Sequence, residues 1–213
     1  MIWEFFMGGG LTMIPLVLFS VISLSIILYK VFDLRRSRFI DRSEIDVIKR
    51  MIANDDFEKA EYYCAENPGV FTHIVSRALE ARHGGENEIR EAIEEAGRYE
   101  VPVIERWLGW LRTIAAVSPL LGLFGTVTGM IRVFNEIGTS GLGNVNAFSG
   151  GIAEALITTA TSLAIAIPSL VMYNYFVDKS EGIILEVEKA SADVMRQIIR
   201  QPKAAPAEVK DAV

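Results

Sequence analysis

The residues best placed for chemistry are one carboxylic acid and a cluster of hydroxyls inside an apolar stretch. Residues 150–176 read GGIAEALITTATSLAIAIPSLVMYNYF, and Glu154 is their only Asp, Glu, Lys, Arg or His side chain. Thr158, Thr159, Thr161 and Ser162 follow it closely. Hydrocarbon does not solvate a carboxylate, so an acid there must be protonated, paired or beside water. Such a group is a candidate step in an ion path. The competing reading is a glutamate at the outer rim that reaches headgroup water, or one that makes a salt bridge to a neighbour.

A second stretch carries a complementary pattern. Ser118, Gly122, Gly125 and Gly129 fall at i, i+4, i+7 and i+11 in SPLLGLFGTVTGM. On a helix this makes one narrow face of small residues, which lets backbones approach closely in lipid. Thr126 lies near that face. With the two apolar helices running in opposite directions, Thr126 and Thr159 each stand about nine residues from the outer end of their spans. That is ~13 Å in at 1.5 Å per residue, with Glu154 at ~6 Å. Two hydroxyls at one depth become a polar ring if subunits assemble about an axis. Alternatively, each threonine bonds the carbonyl four residues back. Spacing alone leaves the two open.

The elements that must position these groups are membrane spans. Three apolar runs, 11–32, 113–135 and 152–177, each have roughly the 20 residues that cross a bilayer core. They account for a mean hydropathy of +0.30 over 213 residues. The first run lacks a basic leader and is followed by Lys30, Arg35, Arg36 and Arg38, unlike a cleaved signal peptide. By the positive-inside rule these basic residues are cytoplasmic, as are Arg98, Arg106, Arg112 and Lys179. Residues 136–151 contain no Lys or Arg. The expected order is a short periplasmic N-terminus (1–10), a first span (11–32), a cytoplasmic helical region (33–112) and a second span (113–135). A periplasmic loop (136–151), a third span (152–177), a cytoplasmic helical extension (178–201) and a disordered tail (202–213) follow. Trp3, Phe5 and Phe6, then Trp107 and Trp110, then Tyr173, Tyr175 and Phe176 suit interfacial anchoring.

The cytoplasmic portions show helical periodicity. Residues 43–66 place Ile45, Ile48, Ile52, Phe57, Ala60 and Cys64 along one face, and Asn67-Pro68-Gly69 ends the run. A short helix is expected over 70–81, closed by Gly84-Gly85, and another from about Glu86, where Pro102 can introduce a bend. Ile183, Val187, Ala190, Val194 and Ile198 continue the third helix as an apolar stripe, which needs cover from residues 33–112 or from another subunit. The fold class is therefore all-α: a polytopic membrane protein whose three spans extend into a cytoplasmic helical bundle.

Composition removes several functions. No basic cluster fits nucleic acid, no phosphate-binding P-loop is present, and a single cysteine, Cys64, permits no intramolecular disulfide. His73 and His83 lack ligand spacing. No inverted repeat or pair of broken helices suggests a small-solute carrier. No cofactor or catalytic residue is expected. Three spans cannot close a pore alone, so conduction requires oligomerisation. The remaining alternative is a non-conducting membrane scaffold.

GLFGTVTGM at 122–130 and GIAEALITTA at 151–160, with Ala166-Ile167-Pro168 and Tyr173-Asn174, resemble the signature of the ExbB/TolQ/MotA proton-channel family. The resemblance is strong over 98–176 and extends along the chain in topology. It implies a ring, a homopentamer of three-span subunits, whose second and third helices line a pore in a bacterial inner membrane. It also implies a dimer of an ExbD- or TolR-like single-span partner in that pore, each copy with an intramembrane aspartate, and a TonB- or TolA-like energy transducer. By motif position Thr126 and Thr159 match the family's pore threonines and Glu154 its third-span glutamate. Thr158, Thr161 and Ser162 are additional pore-lining or polar packing candidates. Glu154 and a three-span topology favour the ExbB/TolQ branch over the four-span stator branch. The short N-terminus leaves TonB-type import and Tol-type envelope maintenance unseparated.

Overall fold

A computed structural model of the chain describes residues 10–34, 42–140 and 145–200. Among these the structure is all-helical: α1 (Met13–Asp33), α2 (Arg42–Ala53), α3 (Phe57–Glu66), α4 (Val70–Glu80), a 3-10 turn (Ala81–His83), α5 (Glu86–Ile104), α6 (Leu108–Ser140) and α7 (Val145–Arg200). The aromatic residues Trp3, Phe5 and Phe6, the basic residues 35–38 and the 202–213 tail lie outside the described residues. Three helices are long and apolar enough to cross a membrane: α1, α6 and α7. They carry the three expected spans, and the chain is a membrane protein.

The chain divides into two compact units. One comprises Met1–Asp33 with Glu105–Lys179, the other Leu34–Ile104 with Ser180–Val213. In the first, α1 packs on α6. It also meets α7, where Ser23 Oγ and Ser169 Oγ share a hydrogen bond of 2.6 Å. A hydroxyl pair of this kind satisfies two polar groups at a buried helix contact without any charge. At the end of α1, Lys30 is fully buried and its Nζ lies 3.2 Å from Asp33 Oδ2. A charge removed from water needs such a partner.

Both flanking spans are longer as helices than their apolar cores. α6 continues to Ser140 and α7 begins at Val145. Polar residues of the expected 136–151 loop are therefore helical on both sides of 141–144, which lie outside the described residues. Helical hydrogen bonding does not stop where hydropathy falls.

In the second unit, the 43–66 stretch is two helices rather than one. The chain breaks at Asn54-Asp55-Asp56, where Asp55 adopts φ +63° and Asp56 N donates to Met51 O at 3.0 Å. Asp tolerates the left-handed region better than most residues, because its short polar side chain can bond locally. The apolar face still forms the core, with Ile48, Ile52, Ala60 and Cys64 buried. α4 begins after Pro68-Gly69, where the Thr72 hydroxyl donates to Asn67 O at 2.7 Å. α5 runs past Pro102 to Ile104; in the first unit, Trp107 has φ +73° just before α6.

The stripe on the C-terminal part of α7 finds its cover within the chain. Ile183, Val187, Ala190, Val194 and Ile198 are all buried in the second unit. Lys49 Nζ on α2 binds Asp193 Oδ2 at 3.1 Å, fixing that contact from its polar edge. The Asp193 carboxyl is held below its usual value by hydrogen bonds from Lys49 and then Arg196.

Candidate functional site: the seam between α6 and α7

Backbone proximity builds the site. The small residues of α6 face α7, and their lack of a side chain sets the distance. A Cβ added at Gly122 would lie 2.0 Å from Ser162 Oγ and 3.2 Å from Thr159 Cα. One added at Gly125 would meet Thr158 Cγ2 at 2.5 Å, and at Gly129 it would meet Ala155 Cβ and Gly151 O, both at 3.0 Å. Gly151 is the reciprocal position on α7, where a Cβ would meet Val133 Cγ2 at 2.5 Å. Ser118 is buried on the same face and donates its hydroxyl to Ile114 O at 2.7 Å. At this separation van der Waals contact is continuous along the seam, which is what holds apolar helices together in lipid.

That register places the hydroxyls. Thr159, half-buried, donates to Ala155 O on its own helix and Gly122 O across the seam, each at 3.2 Å. Thr126 is also half-buried and donates to Leu123 O at 2.7 Å. The two therefore lie within about one helical turn, ~5 Å, of each other along the seam. Thr158 and Ser162 are buried between the helices, donating to Glu154 O and Thr159 O at 2.9 Å. Thr161 donates to Ile157 O at 2.9 Å. Within one subunit every one of these protons is given to a backbone carbonyl, the alternative that spacing left open. The hydroxyl oxygens keep lone pairs that can accept from water or from another chain.

Glu154 lies nine residues into α7, and its carboxylate has a neighbour at each oxygen. Oε2 accepts from Arg132 Nη1 on α6 at 2.5 Å. Oε1 lies against Gly10, where an added Cβ would stand 1.8 Å away. Gly10 has φ +66°, and its carbonyl accepts from Met13 N at 3.1 Å at the start of α1. The acid is thus held between a guanidinium and a backbone turn. Its side chain is 18% exposed, against 59% for Arg132, so the cation is the more accessible partner.

Of the groups the sequence singled out, the structure brings Glu154, Thr158, Thr159, Ser162 and the glycine face together across the seam, while Thr126 and Thr161 bond carbonyls of their own helices. Arg132 and Gly10 were missed. A signal for Arg132 was available, because no other Lys or Arg lies between Arg112 and Lys179. An isolated cation among apolar residues requires a counter-charge as much as an isolated acid does. Which acid it meets depends on interhelical register.

Comparison with known proteins places the chain in a family. Residues 66–189 match the description of the MotA/TolQ/ExbB proton channel family. An ExbB-like biopolymer transport protein of Synechocystis is 33% identical over 80% of this chain and 82% of its own length. The biopolymer transport protein ExbB of Pseudomonas putida is 32% identical over 89% of this chain and 60% of its own. That of Salmonella typhimurium is 31% identical over 77% of this chain and 70% of its own.

Proposed function

The chain belongs to the MotA/TolQ/ExbB proton channel family, and from that premise we propose that it is the ring-forming subunit of a proton-driven motor in a bacterial inner membrane. It is a transport subunit, not an enzyme. In the proposed complex, several copies, five by resemblance, surround a dimer of an ExbD- or TolR-like single-span protein. Proton passage down the membrane gradient energises an outer-membrane process through a TonB- or TolA-like transducer. The N-terminus is periplasmic and the C-terminus cytoplasmic.

The observation that carries this reading is the seam itself. Glu154, Thr126 and Thr159 are carried by two tightly packed, largely apolar helices. A carboxyl group can take up and release a proton, and hydroxyl lone pairs can order a water chain leading from it. Neither capacity serves larger ions as well. One proton crossing 100 mV releases about 2.3 kcal/mol, which can be coupled to movement of a partner.

Purification from native membranes through a tag on this chain tests the assembly. The expected result is a particle whose native mass contains several copies plus a single-span protein with an aspartate in its span. A monomer, or a homo-oligomer with no such protein, contradicts the proposal. The alternative, a non-conducting scaffold, draws its support from the Arg132–Glu154 ion pair, which is also a means of fixing two helices together.

A further inference from the structure

We propose that Arg132 is a latch on Glu154: its guanidinium closes the carboxylate in the resting subunit and releases it by swinging out toward water, to which its side chain is already more than half exposed. This rests on the proposal that Glu154 belongs to a proton path.

Both oxygens of Glu154 are covered, but by partners of different kinds. Gly10 is backbone, anchored to the start of α1 through its own carbonyl. Arg132 is a long, flexible side chain, 59% exposed, held at Glu154 through Nη1. For Glu154 to receive a proton at Oε2, the guanidinium must leave, and it is the member of the site that can move. A long cationic side chain that reaches water keeps its head solvated when it leaves the acid, which avoids the cost of an isolated charge in an apolar segment. The proton step balances simply. The released carboxylate binds one proton arriving from the outer side, then gives up that proton toward the inner side and recaptures Arg132.

The test is proton flux into liposomes bearing the intact complex, with native mass measured on each sample. Arg132→Gln removes the cation while keeping much of the side chain's length and hydrogen-bonding capacity. It is expected to raise basal flux about fivefold, the population shift from losing a partly exposed ion pair. Arg132→Lys retains a cation and is expected to stay near wild type. In Arg132→Gln/Glu154→Gln the rise is expected to vanish, because the latch acts only through Glu154. Unchanged or lower flux in Arg132→Gln, from an assembly of wild-type mass that conducts, overturns the latch and leaves the proton path standing. A rise that persists in the double variant also overturns it. Absence of flux in every variant, wild type included, counts against the proton path itself. If Arg132→Gln does not assemble, Arg132→Met, which keeps the stem and removes the charge while leaving Glu154 in place, is measured instead with the same two outcomes.

Discussion

Thr159 and Gly122 are joined across the α6–α7 seam, the Thr159 hydroxyl donating to the Gly122 carbonyl at 3.2 Å. The bond exists because Gly122 has no side chain to hold the helices apart. It links the two sequence features that were read separately, a face of small residues and a cluster of hydroxyls. The glycines determine how close the helices come, and their closeness determines which carbonyl each hydroxyl can reach.

Gly125→Ala is therefore expected to destabilise. Its methyl group would sit 2.5 Å from Thr158 Cγ2 and 2.9 Å from Thr158 Cβ. A β-branched residue on a helix has little rotamer freedom with which to yield. Overpacking of this kind costs roughly 1–3 kcal/mol. Gly138→Ala is the control, since nothing lies within 4 Å of the added atom. It is expected to be neutral or stabilising by up to ~1 kcal/mol. Thermal unfolding of the two variants in the same detergent compares them, and equal shifts would refute the packing account.

Gly10→Ala combines two penalties. The left-handed backbone costs an L-residue about 1–2 kcal/mol, and the new methyl would stand 1.8 Å from Glu154 Oε1, so that carboxylate must shift. The variant should unfold at lower temperature than wild type. Adding Glu154→Ala should remove the steric part and recover some of the loss. A double-mutant cycle measures this, and simple additivity would show that Gly10 and Glu154 are not in contact.

Cys64 should be a poor nucleophile. Burial, followed by the charges of Glu44 and Glu61, pushes its thiol up to about 11. The side chain is in the core of the second unit. Maleimide labelling at neutral pH is expected to be slow in the folded protein and fast after denaturation. Rapid labelling of the native protein would contradict the α3 packing described here.

The Lys49–Asp193 contact should contribute a small, pH-dependent stability. The folded Asp193 carboxyl is held below its ordinary value of 3.8. The contribution is thus complete above the ordinary carboxylate range and fades as pH falls through the lowered value. Both groups are partly exposed, so the contribution is at most ~1 kcal/mol and weakens with salt. Asp193→Asn should lower the melting temperature slightly at neutral pH and have no effect in strong acid. A larger effect at acid pH than at neutral pH would reverse the assigned sign.

Much of this architecture was legible because periodicity and hydropathy are local. The stripe from Ile183 to Ile198 announced a buried face, and the structure buries all five residues. The break at Asn54-Asp55-Asp56 was missed because the apolar spacing on either side resembles one uninterrupted helix; only the turn-forming run itself marks it. Helix ends at Ser140 and Val145 were missed because hydropathy reports the membrane core rather than backbone hydrogen bonding. Thr126 and Thr159 each stand fourteen residues from the end of their helix nearest residues 141–144. Arg132 and Gly10 depend on how three helices register against one another, which no single stretch of sequence records.

The central claim is a proton path through the seam, and flux under an imposed potential measures it most directly. The complex with its single-span partner is placed in liposomes, and wild type is compared with Glu154→Gln, Thr126→Ala and Thr159→Ala. Native mass is checked on each sample. The account predicts flux in wild type, its loss in Glu154→Gln, and its reduction in each threonine variant with the assembly intact. Wild-type flux that persists unchanged in all three variants would contradict it.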